Sequence, residues 1–157
     1  MAESVYLETT IISYLAARQN SDLVIAACQK ITRDWWDDCR GHFDLYVSER
    51  VISEAQSGDK NAASRRLELL HGIPVLALTD EAVDFAKQLL SNLLLPEKAM
   101  EDALHISVAV VSGMEYLLTW NCKHIANARI IPRIEALALT NGYRHPVICT
   151  PQELLEE

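Results

Sequence analysis

Residues 100–127, MEDALHISVAVVSGMEYLLTWNCKHIAN, do most to limit what this chain can become. Ala103, Leu104, Ile106, Val108, Ala109, Val110 and Val111 follow a helical spacing dense enough in apolar residues to mark a buried helix. Tyr116-Leu117-Leu118-Thr119-Trp120 reads as a strand entered through Gly113. Asp102 opens this helix-strand unit and Asn121 closes it, so a polar group at each end can converge on one point. In open α/β sheets that point lies beyond the carboxyl ends of the strands, where ligands bind.

The rest of the chain repeats the alternation. Ser4-Val5-Tyr6-Leu7 is a short strand that stops at Glu8-Thr9-Thr10, after which Ile11, Ile12, Tyr14 and Leu15 return at helical spacing. Leu23, Val24, Ala27, Ile31, Trp35 and Trp36 mark a long amphipathic helix over 21–39, capped by Ser21 or Asp22. Phe43 to Val47 is the next strand, and Ser48 caps a helix that starts at Glu49 and ends at Gly58-Asp59. A charged helix over 62–70 follows, then a strand over 73–78 whose Pro74 suits an edge, then a helix from Asp80 to Leu90 capped by Thr79. Asn92-Leu93-Leu94-Leu95 leads to Pro96 and the opening unit. Beyond that unit, Ile131 to Leu139 is helical, Asn141-Gly142 is a turn and Val147-Ile148-Cys149 is a last strand, with Thr150-Pro151 starting a short terminal helix. The expected fold is an α/β sandwich with a mainly parallel sheet, in one domain spanning 1–157.

A formal net charge of -8 excludes a generally basic surface of the kind that holds duplex DNA through its phosphates. Any nucleic-acid contact has to be local, through a few Arg and Lys residues or through metal ions held by carboxylates. Cys28, Cys39, Cys122 and Cys149 form no C-x-x-C pair and no metal-finger spacing. With an N-terminus unlike a signal peptide, they are read as reduced thiols of a cytoplasmic protein. The apolar run near Val108 is interrupted by Ser112, Gly113 and Glu115, short of the roughly 20 residues that span a bilayer, so no membrane span is expected.

Four polar residues stand where a chain can point inward: Glu8 after the first strand, Glu54 among Val47, Val51, Ile52 and Ala55, Asp102 at a helix start, and Asn121 after a later strand. Oxygen ligands of this sort suit magnesium or manganese, which prefer carboxylates and retained waters to imidazole or thiolate. Such an ion activates water and stabilises charge on a phosphoryl oxygen during hydrolysis. Clustered carboxylates also repel one another, which makes the site a focus of perturbed ionisation. Plainer readings stand beside these. Glu8 also suits the first turn of a helix, and a solvated helix glutamate describes Glu49 better than Glu54.

VYLETTIISYL, YVSERVISEA, EDALHISVA and LLTWNCKHI, in that order and spacing over essentially the whole chain, resemble the motifs of the PIN-domain family, including its VapC-like ribonuclease toxins. The resemblance implies a three-layer α/β/α sandwich that collects acids at one edge of a parallel sheet, where they bind magnesium or manganese and cut RNA. By this resemblance Glu8, Glu54 and Asp102 match the family's first three acids and become metal ligands. Asn121 falls at the fourth catalytic position, and Thr9 and Ser48 match hydroxyl residues that support the site. An RNA substrate, an antitoxin partner and a homodimer follow from the same resemblance. Two departures stand out. Glu8 is where the family usually has aspartate, one methylene shorter, and Asn121 is where an acid often stands. The amide leaves three formal negative charges instead of four, which weakens metal affinity and disfavours a second ion.

Arg18, Arg50 and Lys123 each follow a site motif closely and are the expected phosphate contacts. His105, one turn after Asp102, and His124, just past Asn121, suit proton transfer or phosphate contact, although a histidine near an apolar helix face is more often packed and hydrogen-bonded. Trp35 and Trp36 could stack bases; such neighbours more often divide, one packing inward and one lying at a surface. Three functions stand open on the sequence: a metal-dependent endoribonuclease, a PIN-fold module that binds nucleic acid or protein with weak or no nuclease activity, and a small-molecule phosphatase using the same metal chemistry.

Overall fold

The computed structural model describes residues 2–92 and 95–156, so Leu93 and Leu94 of the run before Pro96 lie outside the described residues. Among the described residues, β1 (Glu3–Leu7), β2 (Phe43–Ser48), β3 (Val75–Leu76), β4 (Tyr116–Leu118) and β5 (Val147–Cys149) form one sheet in the order β3-β2-β1-β4-β5. Every pairing is parallel. The helices are α1 (Thr9–Ala16), α2 (Leu23–Asp38), α3 (Glu49–Ala55), α4 (Lys60–Leu70), α5 (Asp80–Ser91), α6 (Met100–Val111) and α7 (Ile131–Thr140).

A parallel sheet needs cover on both faces, and right-handed crossovers decide which helix covers which. The chain steps outward from β1 through β2 to β3, then returns past β1 to β4 and β5. The first set of crossovers therefore lays α1 to α4 on one face and the second lays α5 to α7 on the other. The packing agrees, with α1 against α2, α3 and α4, and α5 against α6. This is the three-layer α/β/α sandwich expected from the sequence. Its direction reverses between β1 and β4, and the carboxyl ends of those two strands flank the crevice that such a reversal opens.

The core is densest where the opening unit enters it. Ala103 through Val110 of α6 are all buried, and Val5, Tyr6 and Leu7 of the middle strand have no exposed surface. Asp22, Ser48 and Thr79 cap α2, α3 and α5 through their side chains. Trp35 and Trp36 divide: Trp35 is wholly buried, while Trp36 lies under the Arg40 guanidinium, 4.4 Å from its ring centroid.

Several boundaries differ from the sequence reading. The strand expected over 73–78 is only Val75–Leu76, because Pro74 has no N–H and enters the ladder solely through its carbonyl, which accepts from Val47 N at 3.0 Å. The strand expected to reach Trp120 stops at Leu118, since Thr119 and Trp120 turn toward the site. The helix after Ser48 ends at Ala55 rather than Gly58. Gly58, at φ 84, makes the turn that follows, and Asp59 caps α4. Arg65 and Arg66 of α4 have a structural task. Arg66 donates to the carbonyls of Ala55 and Ser57, and Arg65 to that of Ala16, so both satisfy helix ends that lack partners. The four cysteines are free; Cys39 and Cys149 are buried, and burial pushes the Cys149 thiol up to about 12. Among the described residues no helix is long and apolar enough to cross a membrane.

Candidate functional site

Glu8 follows the last residue of β1 and caps α1, an end set by Thr9-Thr10 after a run of buried residues. Its Oε1 accepts from Thr10 N at 3.0 Å, from the Thr10 hydroxyl, and from Thr119 Oγ1 at 2.7 Å. Thr10 Oγ1 in turn accepts from Trp120 N at 2.9 Å, so the ends of β1 and β4 are tied together through this carboxylate. Glu8 is 4 % exposed and has no cationic partner among the described residues. Buried charges are ordinarily paired or bound to a metal, and here the Oε2 oxygen has no protein donor among the described residues.

Glu54 projects from the last turn of α3. Its Oε1 accepts from Thr9 Oγ1 at 3.0 Å and from His105 Nε2, and His105 Nδ1 lies 2.7 Å from the Tyr6 hydroxyl. That hydroxyl is 2.8 Å from Ser48 Oγ. Burial pushes the Glu54 carboxyl up, but the His105 hydrogen bond and charge, Thr9 and Arg50 more than reverse it, so it titrates below its ordinary value. Burial pushes the His105 imidazole down, and the Glu54 hydrogen bond together with the charges of Glu8, Glu54 and Glu101 carries it above its ordinary value. Burial holds the Tyr6 phenol far above its usual range, so it keeps its proton.

Asp102 sits in the first turn of α6, which starts at Met100 after a 3-10 turn over Glu97–Ala99. Both of its oxygens are occupied: Oδ1 accepts from Asn121 Nδ2 at 2.9 Å and Oδ2 from His124 Nδ1 at 2.8 Å. Asn121 also accepts from His124 N through Oδ1 and donates its own N–H to Thr119 Oγ1, the hydroxyl that bonds Glu8. The Asp102 and Glu8 carboxylates are thereby linked through Asn121 and Thr119.

The phosphate contacts expected from the sequence fare unevenly. Arg50 donates from Nε and Nη2 to both oxygens of Glu101, at 3.0 and 2.6 Å, and is already occupied in bridging α3 to α6. Lys123 is exposed beside Asn121, and Arg18 is exposed in the loop after α1; neither side chain is paired among the described residues. Thr10, Thr119 and Tyr6 join the site without having been singled out from the sequence, where only the hydroxyl-rich elbow after β1 hinted at them. Cavities of about 360 and 440 Å³ line the amino-terminal part of β2, near Trp36 and Ile73, and include none of the candidate site residues.

Three carboxylates and an amide at the carboxyl edge of one parallel sheet supply the hard oxygen donors that magnesium or manganese take. Glu8, buried and with no ion-pair partner among the described residues, is the group whose charge a cation would neutralise. Yet no three Asp, Glu, His or Cys side chains among the described residues are grouped closely enough to hold one ion. The donor set fits a divalent cation in chemistry and in placement, but not as a preformed cage.

No family model matches the chain, and no curated protein matches it in sequence. Solved structures do match in fold. A chain of VapBC2 from Rickettsia felis, crystallised with a DNA fragment from its promoter, superposes with a TM-score of 0.61 at 15 % identity, covering 94 % of this chain and 98 % of that one. VapC20 from Mycobacterium tuberculosis, described as a toxin that cleaves the sarcin-ricin loop, gives 0.55 at 14 % identity over 76 % of this chain and 92 % of its own. With five parallel strands between two helical layers, the chain therefore has the PIN-like fold of the VapC toxins.

Proposed function

We propose that the protein is a metal-dependent endoribonuclease of the PIN type, the VapC-like toxin of a toxin-antitoxin pair. The observation that carries this reading is Glu8: a buried carboxylate with no ion-pair partner among the described residues, linked through Thr119 and Asn121 to Asp102 at the carboxyl edge of the sheet. In this reading Glu8, Glu54 and Asp102 hold magnesium or manganese. The bound ion supplies charge stabilisation at the phosphoryl oxygen and an activated water.

The chain's own residues do the remaining work. Thr10 and Thr119 hold Glu8 in a single orientation, and Thr9 does the same for Glu54. Asn121 orients Asp102 and contributes no charge of its own, which favours one ion over two. Lys123, exposed beside Asn121, is placed to meet a phosphate, with Arg18 as a further contact and Arg50 available only by giving up Glu101. Residues 1–157 act as one domain, in the cytoplasm. The neighbour solved as a VapBC complex supports an antitoxin as protein partner, and the neighbour described as cleaving the sarcin-ricin loop supports RNA as substrate. A homodimer is part of the same reading, with the exposed Leu23 and Val24 at the start of α2 as apolar surface to be covered.

Asp102→Ala tests the assignment directly. Magnesium- or manganese-dependent cleavage of RNA should fall by at least the roughly hundredfold that marks the upper range for supporting residues of a metal site, and unchanged cleavage would remove the ribonuclease reading. The second reading, a PIN-fold module that binds nucleic acid or protein with little or no nuclease activity, has one observation in its favour: among the described residues the acids are not gathered into a group that could hold one ion. Manganese calorimetry separates the two, because a module with a lapsed site shows no binding that depends on Glu8 and Asp102.

A further inference from the structure

Tyr6 lies in the middle strand with no exposed surface, yet its hydroxyl is not merely tolerated there. It sits between Ser48 Oγ, at the end of β2, and His105 Nδ1, in α6, at 2.8 and 2.7 Å. His105 is 1 % exposed, and its other nitrogen bonds Glu54 Oε1 in α3. A hydroxyl and an imidazole in a core are costly unless satisfied, and an apolar pair would fill the same space without that demand. Here both are fully satisfied, and the line they form ends on a carboxylate at the surface edge of the site. Thr9 Oγ1 donates to that same Oε1, while Oε2 has no protein partner among the described residues.

We propose that Tyr6 and His105 are positioning residues of the metal site: a buried hydrogen-bonded line, Ser48 to Tyr6 to His105 to Glu54, that commits one Glu54 oxygen to the protein and leaves the other for the ion. A glutamate has three side-chain torsions, and an unheld carboxylate has to be ordered when the ion arrives. The line fixes Glu54 in advance through a residue of the central strand, and gathering Glu8 and Asp102 with it is left to ion binding. It also accounts for a histidine beside an acid on an otherwise apolar helix. The inference rests on the metal-site reading above.

Manganese calorimetry on the intact protein tests it, with circular dichroism confirming the fold of each variant. Tyr6→Phe keeps the ring and its packing but removes the hydroxyl, and should weaken manganese binding about tenfold, the lower end of the effect of outer partners on metal affinity. His105→Leu should weaken it at least as much, and His105→Gln, which retains an N–H for Glu54, should recover most of the loss. In a Glu54→Gln background Tyr6→Phe should change affinity less than about twofold, because its effect passes through the carboxylate. Wild-type binding with Tyr6→Phe and His105→Leu unchanged would overturn the proposal while leaving the metal site intact. A Tyr6→Phe loss of the same size with and without Glu54 would overturn it as well, since it would mark a general structural effect. No manganese binding by the wild type would remove the metal reading itself, and this proposal with it.

Discussion

The candidate site contains two carboxylate-histidine pairs that are alike in chemistry and unlike in construction. In the first, the His105 side chain is 1 % exposed and Glu54 33 %, and five elements, β1, α1, β2, α3 and α6, contribute atoms to their network. In the second, the His124 side chain is 17 % exposed and Asp102 24 %, and His124 sits on a loop folded around Asn121, whose carbonyl accepts from Ile125 N and Ala126 N. The first pair belongs to the core and the second to a loop laid over a helix start. Removing His105 empties a buried position and takes a partner from the buried Tyr6 hydroxyl, whereas His124 lies on a partly exposed loop where water replaces the partner. Loss of the first should therefore be felt in stability as well as binding, and loss of the second in the site alone.

The largest effect that can break this contrast is on unfolding. His105→Leu should cost about 2 kcal/mol in urea denaturation, within the range for leaving a buried polar group short of a partner, because it takes one of two partners from the Tyr6 hydroxyl. His124→Ala should cost about 1 kcal/mol or less, near the range for exposed pairs. Equal costs would mean that the two pairs are equivalent and that the depth of His105 has no energetic meaning.

A second test uses pH. His105 titrates above its ordinary value in the folded protein, so its contribution is full below the unfolded value of about 6.5 and is lost as pH rises through the folded one. Glu54 titrates below its ordinary value, so its contribution is full above about 4.3 and is lost as pH falls through the folded one. The stability gap between the metal-free wild type and His105→Leu should be widest between about pH 4.5 and 6.5 and narrow on both sides. A gap that grows steadily toward alkaline pH would contradict the assignment of charges.

The smallest effect concerns the loop pair. Asn121→Asp restores a fourth acid but replaces the donor to Asp102 Oδ1 with a like charge. Without metal the variant should lose about 1 kcal/mol, and manganese should raise its melting temperature more than that of the wild type. A melting temperature indifferent to manganese would place Asn121 outside the site.

The contrast also marks what the sequence could reveal. The burial of α6, the Ser48 cap and the turn of β1 into Glu8 follow from local pattern: apolar spacing, a capping residue, a polar stop after an extended run. Their strand-helix alternation gave a mainly parallel sheet, while the strand order came only from the structure. The hydrogen bonds that distinguish the two pairs were not legible, because they join residues far apart in the chain, Tyr6 to His105 and Thr119 to Glu8, through atoms that hydrophobic patterning ignores. In such a pattern Tyr6 is simply a core residue. Arg50 reads as a free cation until Glu101 is found opposite it, and the strand at 73–78 shrinks because a single proline removes its donor.

In the proposed function the carboxyl edge of this sheet is a cation site to which Glu8, buried with no ion-pair partner among the described residues, is committed. Titration of manganese into the wild type and into Glu8→Gln measures it most directly. The wild type should bind one ion, and Glu8→Gln, which keeps the shape and removes the charge, should bind it at least about tenfold more weakly. Equal affinity in the two proteins, or no binding in the wild type, would contradict the account.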